Sequence, residues 1–248
     1  MKLLLVILCF TGYALDATLV QASSSNTPPA AQETYRYTSA PGTRTDDRAK
    51  ETIFMTYGFT SNRVMLSSQT LGTDFSQTVA ITLTPEGTVV SAAFVNATSP
   101  GGKVIQQSRI RKENGTVDVD VTRRQKSNTQ SIQIPEGQKL AVDASLLYLM
   151  RQFPFDTKEE WRVFMVDFSG QSVTVSVRNQ GTELVTVPAG VFTCYRMEVR
   201  IDVAFLKATI TYWLTASPPH FLVKHLGKRG PFTKTYTTVL DSIDFSTP

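Results

Sequence analysis

From residue 51 to residue 246 apolar and polar residues alternate with a period of two, segment after segment, and no other feature limits the fold as strongly. In "TVDVDVTRR" (116–124), Val117, Val119 and Val121 share one face while Asp118 and Asp120 share the other. Such a segment makes a sheet with one face buried and one face wet. It follows "KVIQQSRIRKE" across Asn114-Gly115, the strongest short hairpin signal, because both residues tolerate positive φ. "TIFMTYGFT", "RVMLSSQTL", "FSQTVAITLT" and "TVVSAAFVNAT" come before this hairpin and "QSIQIPEG" after it. Beyond residue 160 the strands are "WRVFMVDF", "SVTVSVRNQG", "TELVTV", "VFTCYRMEVRIDV", "KATITYWLTA", "HFLVKHLG" and "FTKTYTTVLDSIDF". Short Gly or Pro turns join them, so the expected fold is mainly β, a large curved antiparallel sheet. A sheet of that many strands must curl or split.

One segment departs from the pattern. "VDASLLYLMRQFP" (142–154) offers Asp143 as an N-cap, a run of good helix formers and Pro154 as a stop, predicting one short helix over about 143–153. Leu146, Leu147, Leu149 and Met150 cover so much of its circumference that it must be buried.

At the amino terminus Lys2 precedes an apolar run from Leu3 to Phe10, too short to span a bilayer, and Val20-Gln21-Ala22 has the small residues of a cleavage site. Residues 1–22 therefore read as a signal peptide and the destination as the periplasm. Residues 23–50, rich in Ser, Thr, Pro, Ala and charge, read as a flexible leader, with Tyr35 and Tyr37 placed to dock as a short edge strand. A single domain over 51–246 follows. No later segment has the apolar length of a transmembrane helix.

Charge excludes one class of partner. The net +4 is scattered, without the dense basic patch of a nucleic-acid binder. The most basic stretches, Arg109 to Lys112 and Arg123 to Lys126, flank the Asn-Gly turn and are expected side by side on one hairpin. Of two cysteines, Cys9 falls in the signal, which leaves Cys194 without a disulfide partner.

In "VPAGVFTCYRMEV" (187–199) Pro188 and Gly190 make a corner, and a strand follows. Tyr195, Met197, Val199, Ile201 and Val203 line one face; Cys194, Arg196, Glu198, Arg200 and Asp202 line the other. Beside Arg196 a thiol has a route to a lowered pKa. The plainer reading is a small, half-covered residue near a sheet corner, because no helix or histidine nearby would activate it.

This stretch, the helix "LLYLMRQFP" and "TYWLTASPPHFLVKHLG" (211–227), in this order, resemble the bacterial exported proteins grouped as domain of unknown function 3108. The likeness is best over about 140–245 and weaker over 51–135, where only the strand pattern agrees. It implies a lipoprotein-carrier-like half-barrel with an apolar concavity. "DTKEE" (156–160) stands where the pattern has a shorter, Gly-containing turn. The family has no agreed catalytic residues, so none are transferred.

The sequence supplies no catalytic set. His220 and His225 fall on opposite faces of a regular strand, which does not suit a shared metal. There is no G-x-S-x-G, P-loop or dinucleotide turn, and no cofactor is expected. Ser169-Gly170 reads as a turn, with Asp167 and Asp202 as solvated carboxylates.

Large apolar residues remain: Trp161, Phe164, Tyr195, Met197, Tyr212 and Trp213 on strands, with Leu146, Leu149 and Met150 on the helix. They are either ordinary core or the lining of a groove between sheet and helix that takes a lipid or other hydrophobic small molecule. Tyr212 and Trp213, being adjacent, cannot both line it. A non-enzymatic binding protein is thus the first expectation and a cell-envelope protein with a protein partner the second. A cofactor-free enzyme on a hydrophobic substrate comes third. The buried helix and the polar end "DFSTP" argue against an outer-membrane barrel.

Overall fold

A computed structural model describes residues 31–42, 50–203, 206–228 and 234–246; the expected signal peptide lies outside them. Among these residues fifteen strands form one sheet. They are β1 (Ala31–Pro41), β2 (Glu51–Phe59), β3 (Val64–Leu71), β4 (Ser76–Leu83), β5 (Val89–Ala97), β6 (Val104–Glu113), β7 (Thr116–Arg123) and β8 (Lys126–Gln133). After them come β9 (Lys139–Val142), β10 (Glu160–Val166), β11 (Ser172–Val187), β12 (Gly190–Val203), β13 (Leu206–Thr215), β14 (Leu222–Lys228) and β15 (Thr235–Ser246). The helix α1 (Ser145–Met150) lies between β9 and β10.

The spatial order runs β8 to β1, then β15 down to β9. Neighbours are antiparallel except β9 and β10, which are parallel and make the sheet mixed. The two outermost strands, β8 and β9, follow one another in sequence with only residues 134–138 between them. The six Cα steps from Gln133 to Lys139 can span at most roughly 22 Å, so the sheet must curl until its edges approach. It does not close into a barrel. The gap is bridged by single contacts: Gln106 Nε2 and Ser108 Oγ donate to the Phe168 carbonyl at 2.9 and 2.6 Å, and Gln130 Nε2 donates to the Ser169 carbonyl at 3.2 Å.

Turn chemistry accounts for the local pairing. Asn114 and Gly115 hold φ values of 42° and 83°, and Glu113 pairs with Thr116 as the hairpin requires. Arg124 and Gln125 build the next turn with φ of 46° and 68°, although neither residue signals one. The basic stretches are not side by side: Arg111 sits near the Asn-Gly end on Asp120 at 2.9 Å, whereas Arg123 pairs with Gln106 at the far end of β7.

The helix spans less than the expected 143–153, because residues 151–153 continue it only through i→i−3 bonds to Tyr148, Leu149 and Met150. Asp143 does not cap it. Asp143 takes a left-handed φ of 45°, Ala144 occupies the cap position, and Ser145 Oγ accepts the Val142 N–H at 2.7 Å. All six helical residues are buried. Tyr148 Oη and Gln152 Nε2 donate to the Pro85 carbonyl at 3.1 and 2.8 Å, holding the helix to the β4–β5 turn. Gly87 in that turn has φ of 80°, and a Cβ there would stand 3.4 Å from Leu149 Cδ1.

The main correction concerns the leader. Residues 31–41 are neither flexible nor an edge: β1 is the middle strand of the sheet, paired along its length with β2 and β15. Tyr35 and Tyr37 are the physical reason, because their period-two spacing delivers two large rings to the interior, where both are fully buried. Glu33 reaches inward too. Its Oε2 accepts from Arg151 Nη1 at 2.6 Å and from Tyr35 Oη at 2.8 Å, with the Arg151 side chain 8% exposed and Glu33 13%. The guanidinium lies 4.1 Å from the Tyr57 ring centroid and 5.6 Å from that of Tyr35. This pair ties the middle strand to the helix.

Removing one partner leaves the other charge buried and uncompensated. Glu33→Leu or Arg151→Met alone is expected to cost about 3–5 kcal/mol, and the double variant less than either. Urea unfolding of the three variants checks this; a double variant as unstable as the sum of the singles would show that the charges act independently.

Candidate functional site

The nine expected groove residues do not converge on one surface. Leu146 and Met150 of α1, Met197 of β12 and Tyr212 of β13 are buried inside the sheet, and Tyr212 lies 4.9 Å from the His225 ring. Register places Trp161, Val177 and Val199 on that same face. Phe164 and Trp213 alternate to the opposite face. Trp213 Nε1 donates to Glu183 there, with Lys224 Nζ 4.9 Å from the indole centroid. Trp161 and Tyr195 are only partly buried. Tyr195 stacks on Phe155 at 4.1 Å, and Phe155 meets His220 at 4.7 Å. Trp161 packs on Phe153 at 4.9 Å beneath Lys139.

Leu149 is the exception, for it faces a cavity of about 390 Å³ where the two edges of the sheet approach. Leu140, Ile134 and Pro135 complete an apolar floor, and Glu86, Lys112, Glu136 and Lys139 stand around it. Three loops build it: the β4–β5 turn, the β6–β7 turn and the 134–138 link. Ile134, Pro135 and Leu140 were not anticipated as site residues. "QIPEG" carries the apolar pair next to a turn, but nothing local says that the turn faces the helix.

His220 precedes β14 with φ of 57°, whereas His225 is buried within it. Among the described residues, no three His, Cys, Asp or Glu side chains gather where a metal could sit. Asp167 is not a solvated acid but a turn-builder: its Oδ1 accepts from Ser169 N, Ser169 Oγ and Gln171 N at 2.7–2.9 Å.

Cys194 is fully buried. The end of the β11–β12 hairpin folds back so that the Ala189 N–H donates to the Leu240 carbonyl at 3.1 Å and Phe192 meets Phe221 edge-on. Burial, with the Glu183 carboxylate adding, pushes the thiol up to about 12. The route to a reactive thiolate through Arg196 is therefore closed. Asp143 moves in the same direction. Burial first, then the Asp167 carboxylate, raises its carboxyl to about 7 against the Ala144 N–H, which favours the charged form.

Both shifts are measurable. Iodoacetamide at pH 8 is expected to leave Cys194 unmodified in the folded protein and to react at once after denaturation; labelling at equal rates would contradict the burial. For Asp143 the native state holds its proton to higher pH than the unfolded chain, so stability is full below about pH 4 and declines as pH rises to about 7. Asp143→Asn should thus raise the urea midpoint at pH 8 more than at pH 5, and an equal gain at both would refute the linkage.

No curated protein matches the sequence. Among solved structures, a beta-barrel-like protein of the domain of unknown function DUF1849 from Brucella abortus is similar, with 13% identity and a TM-score of 0.58, covering 89% of this chain and 100% of that one. The hypothetical lipoprotein YmcC from Escherichia coli aligns at 10% identity and a TM-score of 0.32, covering 86% of this chain and 84% of its own. At such identities the first likeness shows the fold alone. A family model described as protein of unknown function DUF3108 matches residues 56–229, most of the sheet and the whole of α1, and the chain belongs to that family.

Proposed function

We propose that the protein is an exported, non-catalytic carrier that holds a lipid or similar amphipathic molecule between helix and sheet. The observation that carries this reading is the cavity beside Leu149. At about 390 Å³ it has the size of a small-molecule site, with an apolar floor of Leu149, Leu140 and Ile134 and charges of both signs at its mouth. An acyl chain suits the floor and a polar head suits the rim. The interior itself is occupied by packed side chains, so the ligand enters at the sheet's unclosed edge rather than along its axis. The segment 1–22 supports export to the periplasm, and among the described residues no helix is long and apolar enough to cross a membrane.

A second reading, an envelope protein that binds another protein, draws on Leu184 and Val191, which stand 73% and 64% exposed on the β11–β12 hairpin. The leader strand is not part of that surface, since β1 is enclosed between two neighbours.

Solvent extraction of the protein purified from its native envelope, followed by mass spectrometry, separates the two. A stoichiometric lipid is expected from the wild type and none from Ile134→Glu, whose partly exposed side chain can change without opening the core. Empty extracts from both proteins would overturn the carrier reading.

A further inference from the structure

The polar face of β10, β11 and β12 repeats a charge pattern with one member missing. In one cross-strand row Arg178 sits between Glu160 and Glu198, a base between two acids, and its guanidinium is bound to Glu160. Two residues along, the next row on the same face reads Arg162, Ser176, Arg200, then Thr209 of β13. Here two bases flank a hydroxyl, and no acid stands between them.

Neighbouring acids do not fill the place. Arg162 is exposed and has no ion-pair partner among the described residues. Arg200 turns Nε and Nη2 toward Glu198, at 3.0 and 2.6 Å, which leaves Nη1. Glu160 and Asp202 also border the site, but they are taken by Arg178 and by Lys207, the latter at 3.4 Å. Arg162, Ser176, Arg200 and Thr209, with Glu160 and Asp202 beside them, line a concavity of about 590 Å³ on the sheet.

The dimensions suit a small anion. Strands two apart stand roughly 10 Å from one another, so two arginine side chains rising from them can meet above Ser176. Guanidinium forks match tetrahedral oxyanions two bonds at a time. We propose that this saddle binds a phosphate-class group, with Arg162 and Arg200 as its clamps and Ser176 and Thr209 as hydroxyl donors. It lies on other strands than the cavity beside Leu149 and does not depend on the carrier reading.

The test is titration of the protein with inorganic phosphate, followed through the arginine Nε–H signals by NMR, and a parallel sedimentation assay with phosphatidylglycerol–phosphatidylcholine vesicles. Saturable shifts at Arg162 and Arg200 are expected. Arg162→Ala should weaken binding about ten-fold or more, Arg162→Lys less, and Lys126→Ala on the distant β8 not at all. Because the Arg162 side chain is exposed, an unchanged amide spectrum will show that the fold persists. Response to phosphate alone identifies a free anion, and response to vesicles with the same dependence on Arg162 identifies a lipid headgroup; either upholds the site. Absence of saturation with both probes, or an equal loss in Lys126→Ala, overturns it.

Discussion

The sheet depends on a charge pair in an apolar place. Arg151 and Glu33 are almost wholly withdrawn from water, and they persist there because the carboxylate also accepts the Tyr35 hydroxyl while the guanidinium lies against the Tyr57 ring. The pair contributes little net energy over a well-packed apolar substitute. What it specifies is position: β1 can occupy the centre of the sheet in only one register if Glu33 is to meet the end of α1. Burial of the surrounding phenols fits this picture, the Tyr57 hydroxyl being pushed up to about 12 mainly by loss of water. The helix is held in turn to the β4–β5 turn, so one side chain couples the middle of the sheet to both of its flanks.

Curvature follows from the same arrangement. A helix bolted inside the sheet gives the strands something to wrap, and the five-residue link from β8 to β9 fixes how far they wrap. The remaining gap is polar at the Phe168 carbonyl and apolar at Leu149. The outer face has a different logic: there the Arg111–Asp120, Arg178–Glu160 and Lys207–Asp202 pairs each join neighbouring strands.

Much of this was legible in the sequence. Alternation located the strands, Asn114-Gly115 located its hairpin, and the clustered leucines located the helix. What escaped has a common cause in distance along the chain. Nothing near Tyr35 says that its neighbours are strands on both sides, because one of them begins at residue 235. Cys194 reads as half-wet from its charged strand neighbours, yet the fold buries it fully. The turn at Arg124-Gln125 is set by strand twist rather than by residues that favour positive φ. One miss was avoidable: Trp161 and Phe164 are three residues apart, and the period that separates Tyr212 from Trp213 separates them too. The cavity needed three loops from separate parts of the chain, so no local pattern contained it.

The place of β1 also has a meaning in time. Among the described strands it is the first to be made, and its neighbour β15 is the last; Thr38 Oγ1 bonds Asp241 across 203 residues. A chain emerging amino terminus first from a ribosome holds the centre of its sheet unpaired on one side until β15 has been made. Such long-range closure slows folding. The topology therefore works as a clock, letting the two halves of the sheet join only when β15 arrives.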